Sequence, residues 1–355
     1  MTAMGIIGAG MIAYVHAETI ESLGTKILAV YDPAESKANA FRDRFGCDCE
    51  PSAASLLNRK DIEAVVIAVP NHQHAPMAIE ALQAGKDVLL EKPMAMSIAE
   101  CDGILKARDQ SAQILQLGFV CRYSPAAIKA KELIDQGKIG KVISVQATLL
   151  RQRGIPGLGG WFTTKKLSGG GCLIDIGVHL IDLVMHITSE GSPSRLIGSC
   201  SQAFSMSSYD YEEMWSDPVQ EGIFDVEDRV HASITFNTGM MFGLNVAWAT
   251  HIPEKTIPEG LLIEGENGAL IVDLWSDELT LAWSHEGKPA SEKIKIELED
   301  AWSDAFRGEH QAFANAIQHR VLDLEAGTGE DGRLVQKIVE AIYASNESQR
   351  EMAIN

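Results

Sequence analysis

The first third of the chain alternates short, continuously apolar runs with longer segments of mixed character. Continuous runs such as residues 64–69 are rich in β-branched side chains, which is typical of parallel strands covered on both faces. The segments that follow them, such as residues 14–23 and 75–84, indicate helices. This alternation predicts a doubly wound α/β domain of the Rossmann type with a parallel sheet.

Beyond residue 121 the pattern changes to longer strands joined by short turns, which predicts a large open, mostly antiparallel sheet in an α+β domain. Gly265-Glu266-Asn267-Gly268 is typical of a hairpin turn within this sheet. We therefore expect two domains, residues 1–121 and residues 122–355. The predicted strands are 142–149, 195–203, 228–236, 240–250, 260–265, 269–274 and 278–283, and the two last helices are 301–321 and 331–348.

Composition agrees with two folded domains and excludes one class of partner. A chain of 355 residues with 46% hydrophobic residues exceeds what one core usually supports. The net charge of -19 argues against a nucleic-acid partner, because binding to phosphates relies on clustered Lys and Arg. No segment approaches about 18 uninterrupted apolar residues, so we expect no membrane span, no cleavable signal and a cytoplasmic protein. The six scattered cysteines are expected to be free thiols, mostly buried.

A glycine motif follows the first predicted strand directly and leads into a helix. In Gly8-Ala9-Gly10-Met11-Ile12-Ala13, Gly8 would form the tight turn and Gly10 would let a pyrophosphate approach the backbone. The helix that begins at Met11 and Ile12 would offer its amides to the phosphates. The motif therefore predicts a dinucleotide site.

Asp32 ends the next predicted strand, about 20 residues further on, where the dinucleotide fingerprint expects an acidic residue. Its carboxylate can accept both hydroxyls of the adenosine ribose and would repel a 2′-phosphate, which favours NAD over NADP. The alternative is that Asp32 only begins the turn Asp32-Pro33, and the two interpretations are compatible.

Two more strands end in candidate cofactor residues. Pro70, Asn71 and His74 follow the strand at 64–69, and Glu91 with Lys92 follows the strand at 85–90. Ligands of open α/β sheets bind at the carboxyl ends of the strands, so these residues are expected at the cofactor crevice. The alternatives are helix capping for the histidine and a solvated loop position for the lysine.

In the middle of the chain, three consecutive glycines (169–171) precede a helix that carries Asp175, His179 and Asp182. The spacing i, i+4, i+7 places an imidazole and two carboxylates on one stripe of an α-helix. A polar stripe usually faces solvent, but the other residues of this helix are almost all apolar, so we expect the stripe to face a cleft. A metal on these three side chains is geometrically conceivable; we expect no metal.

The glycine-rich loop 151–162 leads into this stretch and holds Arg153 and Trp161. Arginines donate to sugar hydroxyls and tryptophan covers the apolar face of a pyranose, so we expect both residues to contact a sugar. The equally weighted alternative places the aromatic ring against the core and the arginine in water. Arg122 is a third candidate substrate contact.

Four motifs together, Gly8-Ala9-Gly10, Pro70-Asn71 with His74, Glu91-Lys92-Pro93 and the segment 169–182, resemble the Gfo/Idh/MocA family of oxidoreductases in order and spacing. The resemblance implies that Lys92, Asp175 and His179 are the catalytic groups and that NAD is the cofactor. It also implies that the large sheet pairs with a second copy in a homodimer or homotetramer.

The function expected from these features is an NAD-dependent dehydrogenase that oxidises a secondary hydroxyl of a sugar, glycoside or cyclitol to a ketone. His179 would act as general base, since histidine titrates near neutral pH, while Lys92 and Asp175 assist. One alternative is a glycosidase of the same fold that retains NAD. The other is a regulatory protein that binds NAD and a sugar without turnover; retention of Lys92 and His179 counts against it.

Overall fold

The computed structural model describes residues 3–189, 191–204, 219, 221–253 and 256–354. The chain forms two compact units, and each contains segments that are distant in sequence. The first unit comprises the described parts of Met1–Phe119, Lys166–Gly169 and Phe306–Gln336. The second comprises those of Val120–Lys165, Gly170–Ala305 and Lys337–Asn355.

Six described strands of the first unit form a parallel sheet in the order β3-β2-β1-β4-β5-β6. The chain order reverses between β1 and β4, and open sheets of this kind bind ligands at such a point. The central strands are buried along their full length because helices cover both faces, as their continuous apolar sequences predict. The elements are β1 Met4–Ile7, α1 Met11–Ser22, β2 Ile27–Tyr31, α2 Glu35–Phe45, β3 Asp48–Cys49, α3 Ala53–Leu57, β4 Ala64–Ile67, α4 His74–Gln83, β5 Asp87–Glu91, α5 Ile98–Ser111 and β6 Leu115–Gly118.

Nine described strands form the sheet of the second unit, in the order β14-β13-β12-β11-β7-β10-β9-β8-β15. Strands β7 and β10 pair in parallel and the other neighbours pair antiparallel, so the prediction of a mostly antiparallel sheet is confirmed. The elements are α6 Pro125–Asp135, β7 Val142–Leu150, α7 Lys165–Ser168, α8 Val178–Thr188, β8 Pro193–Ser201, β9 Arg229–Phe236, β10 Met241–Ala247, β11 Gly260–Gly265, β12 Gly268–Asp273, β13 Glu278–His285, β14 Lys288–Lys295, α9 Ala301–His319, α10 Gly329–Ser348 and β15 Met352–Ala353. Among these, α7 belongs to the first unit except for Lys165, and α9 and α10 each run through both units.

One face of the nine-stranded sheet carries exposed apolar side chains. Ile197 on β8, Leu262 on β11 and Ile271 on β12 are 53%, 47% and 42% exposed. The strand register places these three residues in a single row across the sheet, through Ser233, Gly243 and Gln146. The neighbouring positions along the same strands, such as 261 and 263, are buried, so this face is the outer one.

Residues 165–188 are as long as a membrane-spanning helix, and their most apolar window of 18 residues has a mean hydropathy of 1.5 and is 78% buried inside the protein. A helix that is apolar all round and mostly buried is also what the core of a folded domain contains. The structure therefore accounts for this stretch without a bilayer. All six cysteines are free thiols, and Cys47, Cys101, Cys121 and Cys172 are buried.

Candidate functional site

The glycine loop joins β1 to α1 in the first unit, and Gly8 is required there for two reasons. Its φ of 100° lies in the left-handed region, and an added Cβ would lie 2.2 Å from the carbonyl oxygen of Ala68. The amide of Gly8 also donates to the carbonyl of Tyr31 over 2.7 Å. The turn therefore brings the end of β1 against its neighbouring strands.

Gly10, in contrast, faces open space at the start of α1. It adopts an extended conformation with φ of -79°, and an added Cβ would meet no heavy atom within 4 Å. The first turn of α1 holds no acidic residue, Met11 is 54% exposed, and Ile12 packs against the core. This end of the helix presents free amide donors to an anion, which fits the phosphates of a dinucleotide.

Asp32 ties the end of β2 to the same loop. Its Oδ2 accepts a hydrogen bond from the Ala9 amide over 2.8 Å, and its Oδ1 accepts one from the Ala34 amide over 2.8 Å. The second bond is the turn contact that the alternative interpretation expects. Each carboxylate oxygen can accept more than one hydrogen bond, so the turn contact and a contact to ribose hydroxyls are compatible.

His74 brackets the ends of two strands. Its ring nitrogens lie 2.6 Å from the carbonyl oxygen of Pro93, beyond β5, and 2.9 Å from that of Val69, beyond β4. The side chain is fully buried, and this burial lowers its pKa while the two carbonyls oppose the shift. Asn71, also buried, donates to the carbonyl of Ser168 over 2.8 Å. Both side chains therefore fix the backbone that follows β4 from Pro70 onward, at this edge of the sheet.

Glu91, the last residue of β5, is buried and bonds in two directions. Its Oε2 accepts from the Lys92 amide over 3.0 Å, and its Oε1 lies 2.9 Å from Nε2 of His16 on α1. These contacts hold the backbone where Lys92 begins. The Lys92 residue itself is half-buried and precedes Pro93 through a cis peptide bond.

In the second unit, the predicted polar helix begins with one turn of π-helix, Leu173–Gly177, and continues as α8. Asp175 lies in the π turn, so the simple α-helical spacing of the three polar residues does not hold across the junction. Residues 171–184 are all described, and within them His179 is the one residue that is not buried. The segment therefore leaves one titratable ring accessible among packed neighbours.

Asp182 forms a buried ion pair. Its two carboxylate oxygens accept from Nε and Nη2 of Arg122 over 2.7 and 2.6 Å, and the two residues are 1% and 4% exposed. A bidentate pair of this kind fixes both side chains. Asp182 thus supports the helix, and the substrate contact expected of Arg122 stays a prediction.

Asp175 is held by residues that sequence reasoning missed. Its Oδ2 accepts from the indole Nε1 of Trp248 over 2.7 Å, and Nη1 of Arg151 lies 3.8 Å from the same oxygen. Trp248 is fully buried directly after β10, so its ring gives Asp175 a rigid partner. The donor and acceptor are 73 residues apart, and no local pattern indicates their pairing.

Glu227 caps the start of the π turn and was also missed. Its Oε1 accepts from the amides of Gly171 and Leu173 over 2.9 and 3.1 Å and from the Tyr343 hydroxyl over 2.9 Å. Burial raises the pKa of Glu227, and these hydrogen bonds oppose the shift. A carboxylate at this position satisfies amides that a helix start leaves unpaired.

Two of the central glycines are explained by these neighbours. A Cβ on Gly170 would lie 1.9 Å from the Tyr343 hydroxyl oxygen, and one on Gly171 would lie 1.8 Å from the Glu227 carbonyl oxygen. The glycines therefore allow protein atoms to approach closely.

Arg153 and Trp161 lie in the loop that follows β7, and both are half-buried. The Arg153 side chain donates to the carbonyl of Gln152 over 3.0 Å, and its backbone forms an isolated antiparallel β-bridge with Ala249. The ring of Trp161 stacks on that of Phe162 with centroids 3.7 Å apart and planes at 27°. The stacked pair presents a flat aromatic surface of the kind that contacts sugars. Their contact with a substrate stays a prediction.

The chain matches two protein-family models. One, described as an oxidoreductase family with an NAD-binding Rossmann fold, matches residues 2–119. The other, described as the GFO/IDH/MocA C-terminal domain, matches residues 127–271. Together the two matches cover well over half of the chain.

Among curated relatives, the D-glucoside 3-dehydrogenase of Escherichia coli (strain K12) is 28% identical over 353 residues, 97% of this chain and 95% of that protein. The inositol 2-dehydrogenase of Salmonella typhimurium (strain LT2) is 34% identical over 146 residues, 40% of this chain and 44% of that protein. Two further relatives are matched over 62% of their length, so the chain spans less than two thirds of several of these proteins.

A solved structure of levoglucosan dehydrogenase in complex with NADH and levoglucosan superposes with a TM-score of 0.87 at 23% identity. The superposition covers 99% of each chain. At this identity the likeness shows the fold, which agrees with the parallel and mixed sheets described above.

Proposed function

Because the chain belongs to the Gfo/Idh/MocA family of oxidoreductases, with its NAD-binding Rossmann fold, we propose that it oxidises a secondary hydroxyl of a sugar, glycoside or cyclitol to a ketone. The relative matched over nearly its whole length is named for a glucoside, and another is named for inositol. The observation that carries the proposal is His179, an accessible imidazole in an otherwise buried segment whose neighbour Asp175 is rigidly held.

In this proposal His179 is the general base that accepts the hydroxyl proton. A histidine suits this task because its ordinary pKa lies near neutral pH and its ring can reach solvent to release the proton. Asp175 orients the reacting groups, and Trp248 holds its carboxylate in place. Lys92 positions the hydroxyl and stabilises the developing alkoxide charge.

The cofactor in this proposal is NAD, which accepts the hydride. Gly8, Gly10, Met11 and Ile12 provide the turn, the open space and the helix amides for its phosphates. Asp32 accepts the ribose hydroxyls and disfavours NADP.

The residues at the two strand ends line the same cofactor site. Pro70, Asn71 and His74 shape one strand end, and Glu91 shapes the other while it holds Lys92. The bonds of His74 to both strand ends support this role, since they fix the edge to which a nicotinamide would bind.

The domain roles follow the same division. The first domain, residues 1–121, binds the cofactor, and the second, residues 122–355, binds substrate and a second copy of the chain. Arg153 and Trp161 contact the sugar directly, and Arg122 is a further contact that also holds Asp182. The stacked Trp161 and Phe162 rings support a sugar contact, because aromatic faces pack on the apolar face of a pyranose.

The proposed assembly is a homodimer or homotetramer in the cytoplasm, formed through the outer face of the large sheet. Leu262 and Ile271 are exposed direct neighbours on β11 and β12, and Ile197 lies further along the same row. These side chains support the arrangement, since adjacent exposed apolar residues mark interaction surfaces. Sedimentation of the wild type and of Leu262→Lys tests this assembly. A monomeric wild type would contradict it.

The activity is tested with NAD and a panel of glucosides, levoglucosan, inositols and free sugars, by following the absorbance of reduced nicotinamide. We expect turnover on at least one member, loss of about a hundredfold or more in His179→Ala and Lys92→Ala, and wild-type rates in His319→Gln. His319 is exposed on α9 and serves as the control. No turnover on any member, or sugar release without net NADH, would overturn the proposal.

A further inference from the structure

A second cluster of titratable side chains lies in the core of the first unit. His16 comes from α1, Glu91 from the end of β5, and Glu309 and His310 from α9. Their exposed fractions are 0%, 7%, 0% and 1%. The proposed dehydrogenase chemistry uses none of these side chains except Glu91, which holds the Lys92 backbone.

The histidines are linked to one another and to Glu91. Nε2 of His16 lies 2.9 Å from Oε1 of Glu91, and Nδ1 of His16 lies 2.8 Å from Nε2 of His310. If the carboxylate of Glu91 accepts the Nε2 proton, then Nδ1 of His16 carries a lone pair. Metal-bound histidines commonly donate the proton of their other ring nitrogen to a carboxylate, which orients the imidazole in this way.

Glu309 and His310 contain buried polar atoms that form no hydrogen bond. Both carboxylate oxygens of Glu309 and Nδ1 of His310 are in this state among the described residues. Burial of a carboxylate without a partner is costly, and natural proteins compensate such groups with a proton, a charge or a metal ion. The cluster therefore lacks a component.

We propose that His16, Glu309 and His310 bind one divalent transition-metal ion of the zinc type. One ligand atom from each of the three residues lies within 4.8 Å of the others. Two imidazoles and a carboxylate are a set that zinc binds, at about 2 Å from each donor atom. When Nδ1 of His16 and Nε2 of His310 both bind the ion, the proton that now lies between them moves to Nδ1 of His310, and the two nitrogens separate slightly.

Charge balance supports the ion. With Glu91 and Glu309 both ionised, the cluster would carry two negative charges in a dry core, and no described side chain pairs with Glu309. A divalent ion balances both charges and binds Glu309, whose carboxylate oxygens otherwise have no hydrogen-bond partner among the described residues. The cluster differs in this respect from an exposed acidic patch, whose charges are hydrated by water and screened by salt.

The site differs from the one that the sequence analysis considered. The expectation of no metal concerned Asp175, His179 and Asp182. His16 and the pair at 309–310 are 294 residues apart, and folding alone brings them together. The proposed ion is structural, since Glu91 connects it to the Lys92 amide and hydride transfer to NAD requires no metal.

The test measures metal content in the full-length protein, expressed in zinc-supplemented medium and purified without a metal-affinity column or chelator. We expect about one zinc per chain in the wild type and in the control His319→Gln, and less than about a tenth of that in Glu309→Gln and His310→Gln. Circular dichroism confirms that each variant is folded. A metal-free wild type, or zinc retained in both variants, would overturn the proposal.

A spectroscopic measurement on the wild type keeps the test independent of the variants. When cells are grown with Co²⁺ in place of Zn²⁺, we expect visible absorption bands of tetrahedral cobalt in the purified protein. An infrared band of a protonated, buried carboxyl group that disappears in Glu309→Gln would show that a proton fills the role, and would also overturn the proposal. Neither readout depends on dehydrogenase activity, so the two proposals fail separately.

Discussion

The glycines of two segments of the molecule have different surroundings. In the loop Gly8-Ala9-Gly10, an added Cβ at Gly10 would meet nothing within 4 Å. At Gly170 and Gly171, an added Cβ would lie within 1.9 Å of Tyr343 or Glu227 atoms. Gly10 therefore faces open space, whereas protein atoms closely approach Gly8, Gly170 and Gly171. A glycine motif therefore indicates a close approach, and only the structure shows what approaches.

The largest effect on stability is expected from the buried ion pair in the segment 171–184. Asp182→Asn leaves the Arg122 guanidinium without its carboxylate in the core, which should cost about 3 to 5 kcal/mol. Chemical denaturation measures it. Asp135→Asn is the matched control, because Asp135 pairs with Lys131 at the surface and is 59% exposed. If the two variants were equally stable, the buried ion pair of Asp182 would contribute no more to stability than an exposed one.

Gly171→Ala should destabilise the protein by about 3 kcal/mol, since its Cβ would collide with the carbonyl oxygen of Glu227. A lowered melting temperature and a reduced soluble yield are the expected readouts. The control is Gly103→Ala on α5, where the nearest atom to the new Cβ, Cδ1 of Ile79, lies 3.5 Å away. A Gly171→Ala protein as stable as this control would remove the contrast between the segments.

Gly10→Ala should leave the melting temperature within about a degree or two of the wild type, because the backbone conformation suits alanine and the Cβ meets no atom. The affinity for NAD should fall about tenfold or more, since the methyl group occupies the space proposed for the pyrophosphate. Calorimetric titration with NAD measures this. Unchanged affinity would show that the open space at Gly10 does not receive the cofactor.

The smallest effect concerns the pH dependence contributed by Glu227. Burial raises its pKa in the folded protein above the ordinary value of 4.5, so the unfolded chain loses this proton first as pH rises. The folded state then binds more protons, and the contribution of Glu227 to stability decreases as pH rises above 4.5 through the folded pKa.

Melting temperatures across this pH range test the sign. Glu227→Gln should show a weaker decrease than the wild type, and Glu264→Gln, on the outer face of the sheet, should follow the wild type. A steeper decrease in Glu227→Gln would contradict the direction of the shift.

The fold was predictable where burial leaves a pattern in the sequence. The parallel strands of the first unit are continuous apolar runs, and β7 to β13 alternate closely enough to be recognised. Strand β14, Lys288–Lys295, was missed because most of its residues are polar and exposed and only its hairpin with β13 holds it.

The site was predictable only in part, for a related reason. Candidates in contiguous motifs, such as Gly10, Lys92 and His179, follow from local spacing, and their roles stay predictions. Trp248 was not identified, and Arg122 was named as a substrate contact without its pairing to Asp182, since each of these residues lies at least 60 positions from its aspartate. Pairings of this kind depend on the tertiary fold and have no local signal.

The central claim is that a sugar hydroxyl reacts at His179. A crystal structure of the protein with NAD and a substrate found in the panel, grown with His179→Asn to prevent turnover, tests this claim most directly. We predict that the hydroxyl to be oxidised lies within hydrogen-bond distance of the side chain at position 179. A sugar bound elsewhere, with position 179 in contact with protein or solvent alone, would contradict the account.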